Sequence, residues 1–186
     1  MSFPEEETLS TGEQSGWMTV PVVIGPEWKS ELREWCGVRS TTVVMGVFAV
    51  YVALVMRWCN VSEVVVPFVT DGRPSHEVEN AIGYFASVVY PRIKMSGEDF
   101  LDSANPQPTL ALAPMPFVNP MIKDLRRDTE PFILFFDTDG RIEGEVHFPR
   151  DRFSRQTIER FGRNFLRFLM VALREPAQPV VDIPLI

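Results

Sequence analysis

Histidine and cysteine are scarce in this chain, with two of each in 186 residues. Cys36 and Cys59 form no Cys-x-x-Cys pair, so neither a thiolate metal site nor a dithiol redox motif has support. Base is outweighed by acid: 18 Lys and Arg against 25 Asp and Glu give a net charge of −7. Phosphate contacts need clustered Lys and Arg, so that balance argues against a nucleic-acid surface and serves solubility. No apolar run reaches the roughly 20 residues that span a bilayer, because Thr41–Cys59 meets Arg57 first. The N-terminus carries Glu5, Glu6 and Glu7 where a secretory signal would be basic and then apolar, so a cytoplasmic protein is expected.

What is present is enough for a core. Hydrophobic residues make up 45% of the chain and charged residues 23%, which suits one folded domain or one lobe of a larger one. Residues 1–16 are polar and aperiodic and read as a flexible tail or linker, leaving 17–186 as the domain. Trp17–Ile24 is β-branched and predicts a strand, with Pro21 favouring an edge position. Gly25-Pro26 opens a helix whose apolar face is Trp28, Leu32 and Trp35, and Gly37 is its expected stop. Ser40 or Thr41 is the expected cap of the next helix, which is uncharged from Val43 to Met56 and apolar around most of its circumference. Gly46 within it implies close packing against a strand.

Val64–Val69 reads as one strand covered on both faces, and Asp71-Gly72-Arg73-Pro74 as a turn. Val88–Ile93 is the next strand. Prolines then punctuate the chain, with a short strand expected at Thr109–Ala113. Pro131–Asp137 and Arg141–Phe148 flank Thr138-Asp139-Gly140, a hairpin signal. Glu143, Glu145 and His147 alternate with apolar residues and predict one wet face. Ser154 caps a last helix with Ile158, Phe161, Phe165, Phe168, Leu169 and Ala172 on its apolar stripe and arginines opposite. The apolar tail Val180–Ile186 must dock or expose a patch. The pattern predicts an α/β fold of α+β two-layer type, with a central mixed β-sheet packed by long helices.

That order, with TTVVMGVFAV, VVVPFVTDGRP, IGYFASVVYPR and RFSRQTIERF in turn, resembles the C-terminal lobe of nonribosomal peptide synthetase condensation domains, in the chloramphenicol-acetyltransferase-like superfamily. The resemblance runs from about Val20 to Arg174 and is sharpest over Asp71–Arg92. It implies half of that fold and a wall of the tunnel where phosphopantetheine arms of carrier proteins meet. The tunnel or structural positions it implies are Asp71, Arg73, Ile82, Gly83, Tyr84, Phe85, Ser87 and Arg92. Three departures matter. The family's catalytic His-His-x-x-x-Asp-Gly motif is absent, Asp102–Pro106 cuts short a helical stretch, and Ser87 stands where the family usually has Asn. No catalytic residue, metal or directly bound cofactor is therefore expected.

The remaining chemistry-bearing residues have plainer readings. His76 lies in a polar turn and His147 on a surface strand, so both read as solvated. Cys36 and Cys59 sit at helix ends as inert thiols. Asp137 and Asp139 read as hairpin-turn residues. Arg73 is expected to bridge carbonyls or a carboxylate with its planar fork. Gly83 is expected to permit a close backbone approach, and Phe85 to enter the core. Two functions stay open: an acyltransferase lobe inactive alone, its partners a missing N-terminal lobe and a peptidyl carrier protein, or a non-catalytic module docking a carrier or tailoring enzyme. A homodimer through the orphan lobe face fits either.

Overall fold

The computed structural model describes residues 16–66, 68–70, 87–95 and 131–186. Strand β1, Trp17–Ile24, points Val20, Val22 and Ile24 into the core. It pairs antiparallel with β7, Arg141–Pro149, which also pairs with β6, Phe132–Thr138, in the order β1-β7-β6. Among the described residues β1 has a neighbour on one side only, and there it tolerates the missing N–H of Pro21. Asp139 and Gly140 make the two-residue turn between β6 and β7, and Gly140 takes φ 88°, a conformation suited to a residue without a Cβ.

Helix α1, Pro26–Val38, begins at a proline as expected and buries Leu32 and Cys36. Its stop lies beyond Gly37. Ser40 adopts a left-handed φ of 51°, and Thr41 N–H donates back to the Cys36 carbonyl at 3.0 Å, closing the last turn. Helix α2, Val43–Cys59, is capped by Thr42, one residue past the expected Ser40 or Thr41: its hydroxyl accepts from Met45 N–H. Every residue from Met45 to Met56 is buried. The surroundings of α2 explain this, since it packs on α1, on the last helix α3, Arg155–Arg174, and on strand β2, Glu63–Val65. No single helix among the described residues is long and apolar enough to cross a membrane.

The expected strand Val64–Val69 is two strands. β2 pairs with β5, Arg92–Lys94, while β3, Phe68–Thr70, pairs with β4, Ser87–Val89. Val65 is 41% exposed, so β2 has a solvent face rather than two covered ones. Pro67 falls between β2 and β3 and Pro91 between β4 and β5, so each break contains a residue with no N–H for a ladder. All four described ladders, in three small sheets, are antiparallel. The two-layer α/β arrangement is the expected one.

α3 is capped by Ser154 and buries the whole expected stripe against β1 and α2. The C-terminal tail docks on it. Asn164, fully buried, accepts from Ile186 N–H at 2.9 Å and donates to the Ile186 carbonyl at 3.0 Å. Val180 and Ile183 enter the core from a 3₁₀ turn. The proline-rich stretch with Thr109–Ala113, the turn at Asp71–Pro74 and residues 1–15 lie outside the described residues.

Gly46 packs against α1 and not against a strand. A Cβ there would lie 2.7 Å from Cys36 Sγ and 3.2 Å from Leu32 Cδ1. Gly to Ala gains about 1 kcal/mol of helix propensity, while overpacking a tight core costs about 1–3 kcal/mol. Gly46→Ala is therefore expected to destabilise by up to about 2 kcal/mol in urea unfolding. A net gain in stability would show that the two helices are not in close contact at this point.

Candidate functional site

The site implied by the sequence is organised by one ladder rung. Thr70 at the end of β3 and Ser87 at the start of β4 are register partners. Residues 71–86 therefore leave and return at the same rung, whatever path they take between. Asp71, Arg73, Ile82, Gly83, Tyr84 and Phe85 lie on that excursion, outside the described residues, as does His76. The rung is tied to the core through Phe68, whose ring meets Phe48 of α2 edge-on at 4.7 Å. Arg92 lies on the neighbouring ladder. Its guanidinium is 2.8 Å from Glu63 Oε1, and Lys94 Nζ is 3.1 Å from Glu63 Oε2. Both cations are mostly exposed, so these pairs clamp β2 to β5 at about 0–1 kcal/mol each.

His147 is not on a wet face, contrary to the alternation in the sequence. It is 2% exposed, with its ring stacked on Phe132 at 4.9 Å and 4° between planes. The cause is the central position of β7, where His147 stands between Thr19 of β1 and Phe132 of β6. Its Nε2 lies 3.2 Å from Glu145 Oε2, two residues along the same face. A signal was available: PFILFF in β6 is apolar at both parities, so neither face beside it stays wet.

Lys29 was missed. It is buried, and its ammonium donates to Asp137 Oδ1 and, at 2.7 Å, to the Thr138 carbonyl. Asp137 thus anchors α1 to the end of β6 in addition to ending the strand. The signal is spacing, because Lys29 precedes Leu32 by three and Cys36 by seven and so shares their buried face. Cys36 is an inert thiol, as expected. Burial pushes its pKa up to about 11, outweighing the opposing charge of Arg39. No group of three or more His, Cys, Asp or Glu among the described residues could hold a metal ion.

Comparison with known proteins fixes the family. The condensation-domain profile matches residues 2–108. The chain belongs to the condensation-domain family. The PF 1022-synthetase of Rosellinia sp. is 26% identical, covering 98% of this chain and 7% of that protein. The bassianolide nonribosomal cyclodepsipeptide synthetase of Beauveria bassiana is 32% identical over 44% of this chain and 3% of its own length. Among solved structures, the first condensation domain of the calcium-dependent antibiotic synthetase superposes with TM-score 0.67 at 14% identity, covering 99% of this chain and 51% of that one. A four-domain nonribosomal peptide synthetase, holo-AB3403, gives TM-score 0.68 at 12% identity over 92% of this chain and 18% of its own. These likenesses confirm the chloramphenicol-acetyltransferase-like fold, of which this condensation-family chain spans about half the length. The alignment to the Rosellinia protein is 230 positions long against 186 residues here, so that relative has extra residues inside the matched region.

The Cys36 thiol titrates higher folded than unfolded, so folding favours its protonated form. That contribution to stability is complete below about pH 9 and is lost as pH rises towards about 11. A Cys59→Ser variant should resist alkylation by iodoacetamide at pH 8 until denaturant is added, and its stability should fall between those pH values more steeply than that of Cys36→Ala. Rapid alkylation of the native protein would contradict the burial of this thiol.

Proposed function

We propose that this chain is the C-terminal lobe of an amide-forming condensation acyltransferase of nonribosomal peptide biosynthesis, acting in the cytoplasm. Its domain runs over residues 17–186, with 1–16 as a linker. The observation that carries this reading is coverage: 99% of the chain matches 51% of a condensation-domain chain, and the sequence has no His-His-x-x-x-Asp-Gly motif. In this reading the excursion from Thr70 to Ser87 presents Asp71, Arg73, Ile82, Gly83, Tyr84 and Phe85 to the tunnel. Two carrier-bound phosphopantetheine arms would bring a thioester and an amine together there as substrates. Arg92 supports the wall through Glu63 rather than touching the arms.

The reaction itself explains why the lobe is inactive alone. The amine attacks the thioester carbonyl, the thiolate leaves, and the amine must shed a proton, which calls for a base within hydrogen-bond reach. His147 is buried against Phe132 and offers no open approach to an acceptor amine. The base would come from a histidine-bearing N-terminal lobe. The Rosellinia relative has extra residues somewhere within the matched region, so this chain is the shorter of the two there.

A second reading draws on one comparison. The X-domain of teicoplanin biosynthesis, solved in complex with OxyB, matches 92% of this chain with TM-score 0.66 at 15% identity. A condensation-type fold can thus serve docking, and this chain would then bind a carrier protein or a tailoring enzyme without turnover.

Assembly with a condensation N-terminal lobe bearing the histidine motif distinguishes the two. The expected result is amide formation from carrier-bound thioesters by the assembled pair and none by this chain alone. A stable two-lobe assembly without turnover would contradict the first reading, and carrier or tailoring-enzyme binding by the isolated chain would then favour the second.

A further inference from the structure

Two helices carry ridges of opposite charge. α3 carries Arg155, Arg160, Arg163, Arg167 and Arg174 against one carboxylate, Glu159, in a chain of net charge −7. Glu159 is engaged by Arg155 at 2.8 Å. Arg160, Arg163 and Arg167 follow at spacings of three and four and form one ridge, on the side away from Phe161, Phe165 and Phe168. Like charges at these spacings oppose helix formation. No carboxylate among the described residues pairs with Arg163 or Arg167. Arg160 is held over the Trp58 ring at 5.0 Å, so its guanidinium is placed in advance.

α1 carries the complement along one side, with buried Lys29 and exposed Arg33 lying off that ridge. Glu27, Glu31 and Glu34 are exposed and follow at spacings of four and three, on the side away from Leu32 and Cys36. Each ridge spans eight residues, about 10 Å of rise along the helix. Laid antiparallel, the two are in register throughout: Arg160 faces Glu34, Arg163 faces Glu31 and Arg167 faces Glu27. Within one molecule α1 and α3 pack against each other, yet these ridges remain on their solvent sides.

We propose that the chain self-associates as a two-fold dimer in which the arginine ridge of α3 in each copy lies on the glutamate ridge of α1 in the other. A two-fold interface is reciprocal, so each contact occurs twice. Guanidinium groups suit it because their planar forks match carboxylates. Every pair is exposed or half-buried at the surface and individually weak, so the dimer is weak and salt-sensitive. The overall charge of −7 opposes association at long range, and local complementarity prevails only at contact. This interface is separate from any apolar lobe face and does not depend on the acyltransferase reading.

Sedimentation of the full chain tests it. The wild type is expected to dimerise at about 25 mM salt and to do so about tenfold more weakly at about 500 mM. Arg163→Glu with Arg167→Glu, and separately Glu27→Arg with Glu31→Arg, should each be monomeric with wild-type circular dichroism. An equimolar mixture of the two variants should form a heterodimer, because each then supplies what the other lacks. The neutral pair Arg163→Gln with Arg167→Gln should also be monomeric, and stands in should a reversal variant fail to fold. A monomeric wild type at low salt would overturn the proposal and leave the ridge to another acidic protein. Dimers that survive charge reversal or high salt would overturn it in favour of an apolar interface.

Discussion

The pairing of β1 with β7 is the constraint on which the rest of the fold depends. It joins Trp17–Ile24 to Arg141–Pro149 in an unbroken register. The chain between them is long, and loop closure on that scale costs entropy that grows only with the logarithm of length. What offsets it is a continuous apolar surface. Val20, Val22 and Ile24 from one strand and Ile142, Val146 and Phe148 from the other lie in one buried cluster with α3. Lys29 and Asp137 then fasten α1 to the far end of β6.

From that sheet outward, each layer positions the next. α3 lies on β1, α2 lies on α3, and the short ladders β2–β5 and β3–β4 follow α2 through Val64 and Phe68. Tyr51 and Trp58 of α2 meet Phe161 of α3 edge-on, at 6.4 and 5.4 Å. The rung formed by Thr70 and Ser87 is therefore set by the buried helix beneath it.

Strong periodicity was legible in the sequence wherever a face was either fully apolar or fully polar. The stripe of α3, the β6–β7 turn and the all-round burial of α2 all follow from it. The misreadings share a cause, which is that sequence pattern speaks of a residue's own element and not of its neighbours. His147 alternates correctly but lies beside an apolar strand. Gly46 signals a close approach, yet not that α1 makes it. Val64–Val69 is uniformly apolar, and only its proline hints that it serves two ladders. The left-handed turn at Ser40 was missed because glycine is the usual occupant of that conformation and Gly37 stood nearby. For the site, the resemblance located the excursion between Thr70 and Ser87, while the pairing of these two residues emerged only from the fold.

Native-state hydrogen exchange on this chain bears most directly on the claim that β1 and β7 close the fold into one cooperative unit. The account predicts that the ladder amides of β1, β7 and β6 and those at the centre of α3 exchange together, at the slowest rate in the molecule, through global unfolding. Exchange of β1 by an independent, lower-energy opening, with β7 and α3 still protected, would contradict it.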